Sequence, residues 1–168
     1  LSNIMVHQSK DICEFLLRSE SLNAEVTLGD YDNVIQDSEK FKNSDAVLVF
    51  WEVCNFVDGL HYKIDSFSDN EFNNIVNKVK VEIDLVLAAL ISTPTVIINK
   101  FSSVVFDQFC LSKGNLKRLV VILNEYLEAR CGPNVVIFDI DEIFTRLSVD
   151  QATELRHYSS AKTLYSIL

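Results

Sequence analysis

Apolar runs and amphipathic stretches alternate along this chain. A short apolar run, Asn3-Ile4-Met5-Val6, ends at His7-Gln8-Ser9, and a helical pattern starts at once with Ile12, Phe15 and Leu16. That reads as a strand, a tight turn at Ser9 and a helix over about 10–20. Ala24-Glu25-Val26-Thr27-Leu28 reads as a second strand, ended by Gly29-Asp30, with a short polar helix or loop over 33–39. Asp45-Ala46-Val47-Leu48-Val49-Phe50-Trp51 is nearly continuous in apolar residues, the pattern of a strand buried on both faces. Residues 52–68 have no clear period and form a long connection.

Ser68-Asp69-Asn70-Glu71 is a capping box ahead of a long helix, whose apolar face carries Phe72, Ile75, Val76, Val79, Ile83, Val86, Leu87 and Leu90. Thr95-Val96-Ile97-Ile98-Asn99 is the fourth strand, and residues 100–113 are irregular. Leu116, Leu119, Val120, Leu123 and Leu127 mark another amphipathic helix, stopped by Gly132-Pro133. Asn134-Val135-Val136-Ile137-Phe138 is the fifth strand. A short helix over 141–147 and a polar loop over 149–158 follow. Ser159 or Ser160 can cap a last helix carrying Leu164, Tyr165 and Leu168.

Strands alternate with helices and no hairpin signal intervenes. The pattern predicts an α/β fold: a three-layer α/β/α sandwich with a five-stranded parallel sheet in the flavodoxin-like order 2-1-3-4-5. The 168 residues make one domain, 1–168. A start at Leu1 and a finish inside an apolar helical pattern suggest a fragment of a longer chain.

Charge narrows the partners. The formal net charge is −9 and the basic residues are scattered, which argues against nucleic acid. No run approaches the about 18 apolar residues of a membrane helix, and the cysteine usage leads to the expectation of a cytoplasmic protein. Cys13, Cys54, Cys110 and Cys131 lack metal-ligand spacing and read as reduced thiols.

Candidate chemistry comes from two constellations. GxxxxGK[ST] and GxGxxG are both missing, and with four glycines in all the chain is poor in phosphate cradles. In Phe138-Asp139-Ile140-Asp141-Glu142 an apolar strand ends in DxD, similar to the first motif of haloacid-dehalogenase-type phosphatases. There the first Asp is the nucleophile and both help bind magnesium. The plainer reading is an acidic strand end with an Asp capping the next helix. The other constellation joins Ser9, at the carboxyl end of a strand, to Glu154-Leu155-Arg156-His157. A serine hydroxyl needs a base, and a histidine needs a third group to orient it. The plainer readings are a helix-capping serine and a surface histidine.

The layout resembles the SGNH, or GDSL, hydrolase superfamily. Ser9 stands at the serine position, Gly29 fits the second block, and Glu154-x-x-His157 fits the last with Glu for Asp. The third block, Trp51-Glu52-Val53-Cys54-Asn55, has no glycine, and Asn55 comes about two residues late. A closer likeness is to the amino-terminal SGNH-like domain of FkbH-like proteins (haloacid-dehalogenase superfamily IIIC). It rests on Gly29-Asp30-Tyr31-Asp32-Asn33-Val34-Ile35, Val96-Ile97-Ile98-Asn99-Lys100-Phe101 and the stretch from Arg156 to Ser166. The resemblance implies an SGNH-type esterase or acyltransferase acting on a small acyl or carbohydrate ester, in a bacterial polysaccharide or polyketide pathway. Ser9 would be nucleophile, His157 the base, Glu154 its orienting carboxylate, and Gly29 and Asn55 the oxyanion holders, with no cofactor or metal. An acyl-carrier protein or an attached haloacid-dehalogenase-type domain would be the partner. The alternative is a non-catalytic binding or docking domain serving that attached domain. A third reading, a receiver- or nucleotide-type sheet protein using the Asp pair, predicts magnesium binding.

Overall fold

The computed structural model describes residues 1–7, 9–107 and 114–166. In chain order these form α1 (Ser9–Ser19), α2 (Val34–Phe41), β1 (Ala46–Val49), α3 (Leu60–Lys63), α4 (Asp69–Ala89), β2 (Thr95–Asn99), α5 (Asn115–Arg130), β3 (Val135–Phe138), α6 (Ile140–Leu147), α7 (Val149–Ala152) and α8 (Leu155–Ala161). Single 3-10 turns at Val53–Asn55 and Ile64–Ser66 flank α3.

The sheet has three parallel strands in the order β1-β2-β3, which corrects the expected five-stranded sheet. Val47 pairs with Val96 and Val96 with Val135. The two missing strands have separate causes. At the amino terminus only Ser2 bridges to Phe50, because the side chain of Asn3 turns in and clasps the main chain of Glu52 in place of a further ladder rung. Residues 24–28 form no ladder among the described residues. The Val26 N–H instead donates to the Glu14 carboxylate of α1.

The expected helical cover on both sheet faces is also only partly present. Val47, Val49, Val96 and Ile98 point into one core with residues of α2, α4 and α5. The alternate row runs Leu48–Ile97–Val136 in register, and its outer members are 44% and 55% exposed. Helix α1 buries no residue, and its apolar positions Ile12, Phe15 and Leu16 face solvent.

The long helix matches its sequence signals. The Ser68 hydroxyl accepts from the Glu71 N–H, and the Glu71 carboxylate accepts from the Ser68 N–H, so two orphan donors of the first turn are satisfied. The carboxyl-terminal region differs from the pattern. The expected polar loop holds α7 and α8; α8 runs through Ser159 and Ser160, and Leu164 and Tyr165 lie beyond it outside any helix. Leu168 and Cys110 lie outside the described residues. Among the described residues no helix is long and apolar enough to cross a membrane.

Where the chain leaves the sheet, side-chain amides take over from the ladder. Asn99, itself 1% exposed, accepts from the Trp51 N–H at 2.7 Å and donates to the Trp51 carbonyl at 2.8 Å. Asn3 does the same for Glu52, at 2.8 and 3.0 Å. Asn124 of α5 does it for Phe101, at 2.8 and 3.0 Å. Each clasp satisfies the N–H and the C=O of one residue, main-chain groups that would otherwise be buried without partners. Replacing Asn99 by Ala leaves both Trp51 groups unpaired and is expected to cost about 3 kcal/mol. Ser68→Ala removes the exposed hydroxyl that accepts from the Glu71 N–H and donates to the Glu71 carboxylate, with an expected cost of about 1 kcal/mol. Urea midpoints of the two variants check the ranking; equal losses contradict it.

Candidate functional site

The carboxyl edge of the sheet gathers polar groups from two consecutive strand ends. β2 ends at Asn99, and the chain continues through Lys100, Phe101 and Ser102. The Lys100 N–H still pairs with the Phe138 carbonyl, extending the β2–β3 ladder by one step. The Asn124 clasp on Phe101 fixes the next peptide. β3 ends at Phe138, and Asp139 then caps α6, its carboxylate accepting from the Asp141 N–H at 3.0 Å. An N-cap Asp is favoured there because the first-turn N–H groups lack partners and carry partial positive charge.

These two strand ends meet. The Ser102 hydroxyl, on a residue 5% exposed, donates to Asp141 Oδ1 at 2.5 Å and accepts from the Val104 N–H at 3.0 Å. Lys100 Nζ lies 2.8 Å from Glu128 and 3.8 Å from Asp139. The hydrogen bond to Glu128, with the nearby Asp139 and Glu142 charges, raises the Lys100 pKa and keeps it cationic. An open cavity of about 500 Å³ adjoins this edge, lined by Lys100, Phe138, Asp139, Glu142, Ile143 and Arg146 among others.

Magnesium can be held by one or two carboxylates when water and a phosphate supply the remaining ligands. The residues here fit that open kind of site. Asp139 and Asp141 each keep one oxygen outside a hydrogen bond, and both offer hard oxygen donors. Among the described residues no group of three or more His, Cys, Asp and Glu side chains forms a full protein cage.

The residues expected from the sequence are distributed as follows. Ser9 opens α1, and its hydroxyl donates to the Val6 carbonyl at 2.6 Å. Glu154 precedes α8 and its carboxylate lies 3.7 Å from Arg156. His157 is exposed on α8, and no hydrogen bond joins its ring to Ser9 or to the Glu154 carboxylate. The residue of α8 that points inward is its neighbour Tyr158, 4% exposed, whose hydroxyl donates to Asn55 Oδ1 at 3.4 Å. Asn55 also donates to the Asn3 carbonyl and to the Tyr31 hydroxyl. Gly29 is held for space: a Cβ there would stand 2.5 Å from Asp37 Oδ2, the oxygen that accepts from the Asp30 N–H.

Glu52 was not singled out by the sequence reading. It lies three residues past β1, is 3% exposed, and accepts from the Cys54 N–H and the Tyr165 hydroxyl. Burial disfavours its charge and lifts its pKa from 4.5 to about 7, against the opposing pull of those hydrogen bonds. The available signal was a lone carboxylate placed immediately after the apolar run that ends at Trp51. Lys100 and Ser102 were missed because they fall in a stretch without periodicity.

No protein-family model matches the sequence, and no curated protein matches it. Among solved structures, the chain is similar to the crystal structure of the amino-terminal part of the protein BF1531 from Bacteroides fragilis, containing a phosphatase domain and complexed with Mg. The TM-score is 0.70 at 13% identity, over 98% of this chain and 46% of that one. This chain therefore spans under half of that structure, and at such identity the likeness carries the fold alone. It corrects the expected membership of the SGNH/GDSL superfamily and the likeness to FkbH-like proteins, since the matching fold comes from a phosphatase-containing chain. The esterase or acyltransferase reading falls with that membership, and the docking-domain alternative gains no support.

The raised Glu52 pKa predicts an unusual pH profile. Between pH 4.5 and 7 the folded state holds a proton on Glu52 that the unfolded chain has released, so stability falls as pH rises through that window. The expected loss is about 3 kcal/mol. Glu52→Gln, which keeps the acceptor and adds a donor, is expected to flatten the profile. Urea midpoints from pH 4.5 to 8 check this; a wild-type profile that rises across the window contradicts it.

Proposed function

We propose that the chain binds a phosphate monoester with magnesium at the carboxyl edge of β2 and β3 and hydrolyses it. One observation carries the reading: the DxD pair after β3 meets Lys100 and Ser102 after β2, with the Ser102 hydroxyl 2.5 Å from Asp141. Open parallel sheets bind ligands at this edge. The likeness in fold to a structure with a phosphatase domain and Mg adds support from outside the chain.

Each residue has a role under this reading. Asp139 and Asp141 would hold the metal, which when bound neutralises charge on the phosphate oxygens. Lys100 is the fixed cation for a phosphate oxygen, kept protonated by Glu128 and Asp139. Ser102 orients Asp141. Asp139 is the side chain that attacks phosphorus: its oxygen–phosphorus bond forms as the ester P–O bond breaks, and the departing alkoxide takes a proton from water. The hydroxide so formed splits the aspartyl phosphate, releasing phosphate and restoring the carboxylate.

Asp139→Asn separates this role from the structural one, because Asn is an equally good N-cap. The variant is expected to keep its urea midpoint and to lose p-nitrophenyl phosphate turnover by roughly 1,000-fold. Chelation of magnesium is expected to stop turnover of the wild type. A folded wild type without turnover, or an Asp139→Asn protein that retains it, overturns the proposal.

A further inference from the structure

The cavity beside Asp139 is larger than a phosphate needs, and its lining is ordered along one helix. Asp139 caps α6, and Glu142, Ile143 and Arg146 follow at i+3, i+4 and i+7, so all four lie along one stripe of the helix. Seven residues of helix rise about 10 Å. A helical side chain leans back toward the amino terminus, so the Arg146 guanidinium reaches toward the phosphate end. Between them stand Ile143, 42% exposed, and the half-buried Phe138.

The two cations of the cavity differ in their partners. Lys100 is engaged by Glu128 and Asp139. Arg146 is exposed, and among the described residues no carboxylate comes within ion-pair distance of it, Glu142 one turn away included. A cation in the last turn of a helix is favoured by the helix dipole alone. That does not account for its place in a cavity, one apolar span from the strand-end Asp pair.

We infer that Arg146 selects phosphate esters that carry a second anionic group at the far end of an apolar spacer. The inference rests on the phosphate-ester reading of this edge and adds the substrate class. The phosphate sits at Lys100 and Asp139, the spacer lies on Phe138 and Ile143, and the second anion meets the Arg146 fork. A guanidinium pairs with a carboxylate or a phosphonate through two parallel N–H···O bonds, which gives both strength and direction. Glu142 on the same stripe repels an anion placed elsewhere, so the second charge is accepted at the Arg146 end only.

Binding of non-hydrolysable probes tests this without reliance on turnover. Calorimetry with magnesium present compares phenylphosphonate, 4-carboxyphenylphosphonate and 1,4-phenylenebisphosphonate on the wild type, Arg146→Gln and Arg146→Lys. The expected result is tighter binding of one or both probes that carry a second anionic group, by about 10-fold over phenylphosphonate. The better of the two identifies the second group as carboxylate or phosphonate. Arg146→Gln is expected to remove that gain while leaving phenylphosphonate binding unchanged, and Arg146→Lys to restore part of it. If all three probes bind the wild type equally, the inference falls and the phosphate-ester reading stands. If the gain survives in Arg146→Gln, the inference falls as well. If no probe binds, the phosphate-ester reading falls and takes the inference with it.

Discussion

Three asparagine side chains hold the working edge of this fold together. A short parallel sheet of three strands leaves its main chain without ladder partners within a step or two of a strand's end. Trp51, Glu52 and Phe101 all lie just past a strand end, and each is clasped through both its N–H and its C=O by an amide: Asn99, Asn3 and Asn124 respectively. An asparagine amide reproduces the donor and acceptor of a peptide group, so it can stand in for a missing neighbouring strand. The clasps make sharp exits from the sheet compatible with burial. They also place the chemistry, since Phe101 lies between Lys100 and Ser102, and Glu52 is drawn into the interior with its carboxyl group.

Burial then sorts the acidic groups of this edge into two kinds. Glu52 is enclosed and favours its neutral form, its carboxyl group accepting from the Cys54 N–H and the Tyr165 hydroxyl. Asp139 and Asp141 sit at the amino end of α6, Asp139 beside Lys100 and Asp141 beside Ser102. One edge of one sheet thus carries a structural carboxyl group and a pair suited to metal and phosphate. Their side-chain neighbours decide which is which.

Periodicity made a good part of this legible. The β1, β2 and β3 segments stand out as apolar runs, although only one sheet face, carrying Val47, Val49, Val96 and Ile98, packs into the core while Leu48 and Val136 stay exposed. The α4 capping box was visible because its two partners are local in sequence. A run such as Ala24–Leu28 has a strand-like composition whether or not a partner strand is available, so the pattern predicts two strands that the sheet lacks. The same limit hid the asparagine clasps, which join residues 48, 49 and 23 positions apart. The DxD pair was noticed, and its plainer role as a helix cap is real in Asp139. What the sequence could not supply was the meeting of Asp141 with Ser102, which depends on β2 and β3 being neighbours.

The central question is whether the Asp139–Asp141 edge takes a phosphoryl group together with magnesium. Calorimetric titration of magnesium into the protein, with and without beryllofluoride as a phosphoryl mimic, measures that directly. The account predicts magnesium binding that tightens when beryllofluoride is present, with the tightening lost in Asp139→Asn. Magnesium binding that ignores beryllofluoride, or a tightening that persists in Asp139→Asn, contradicts it.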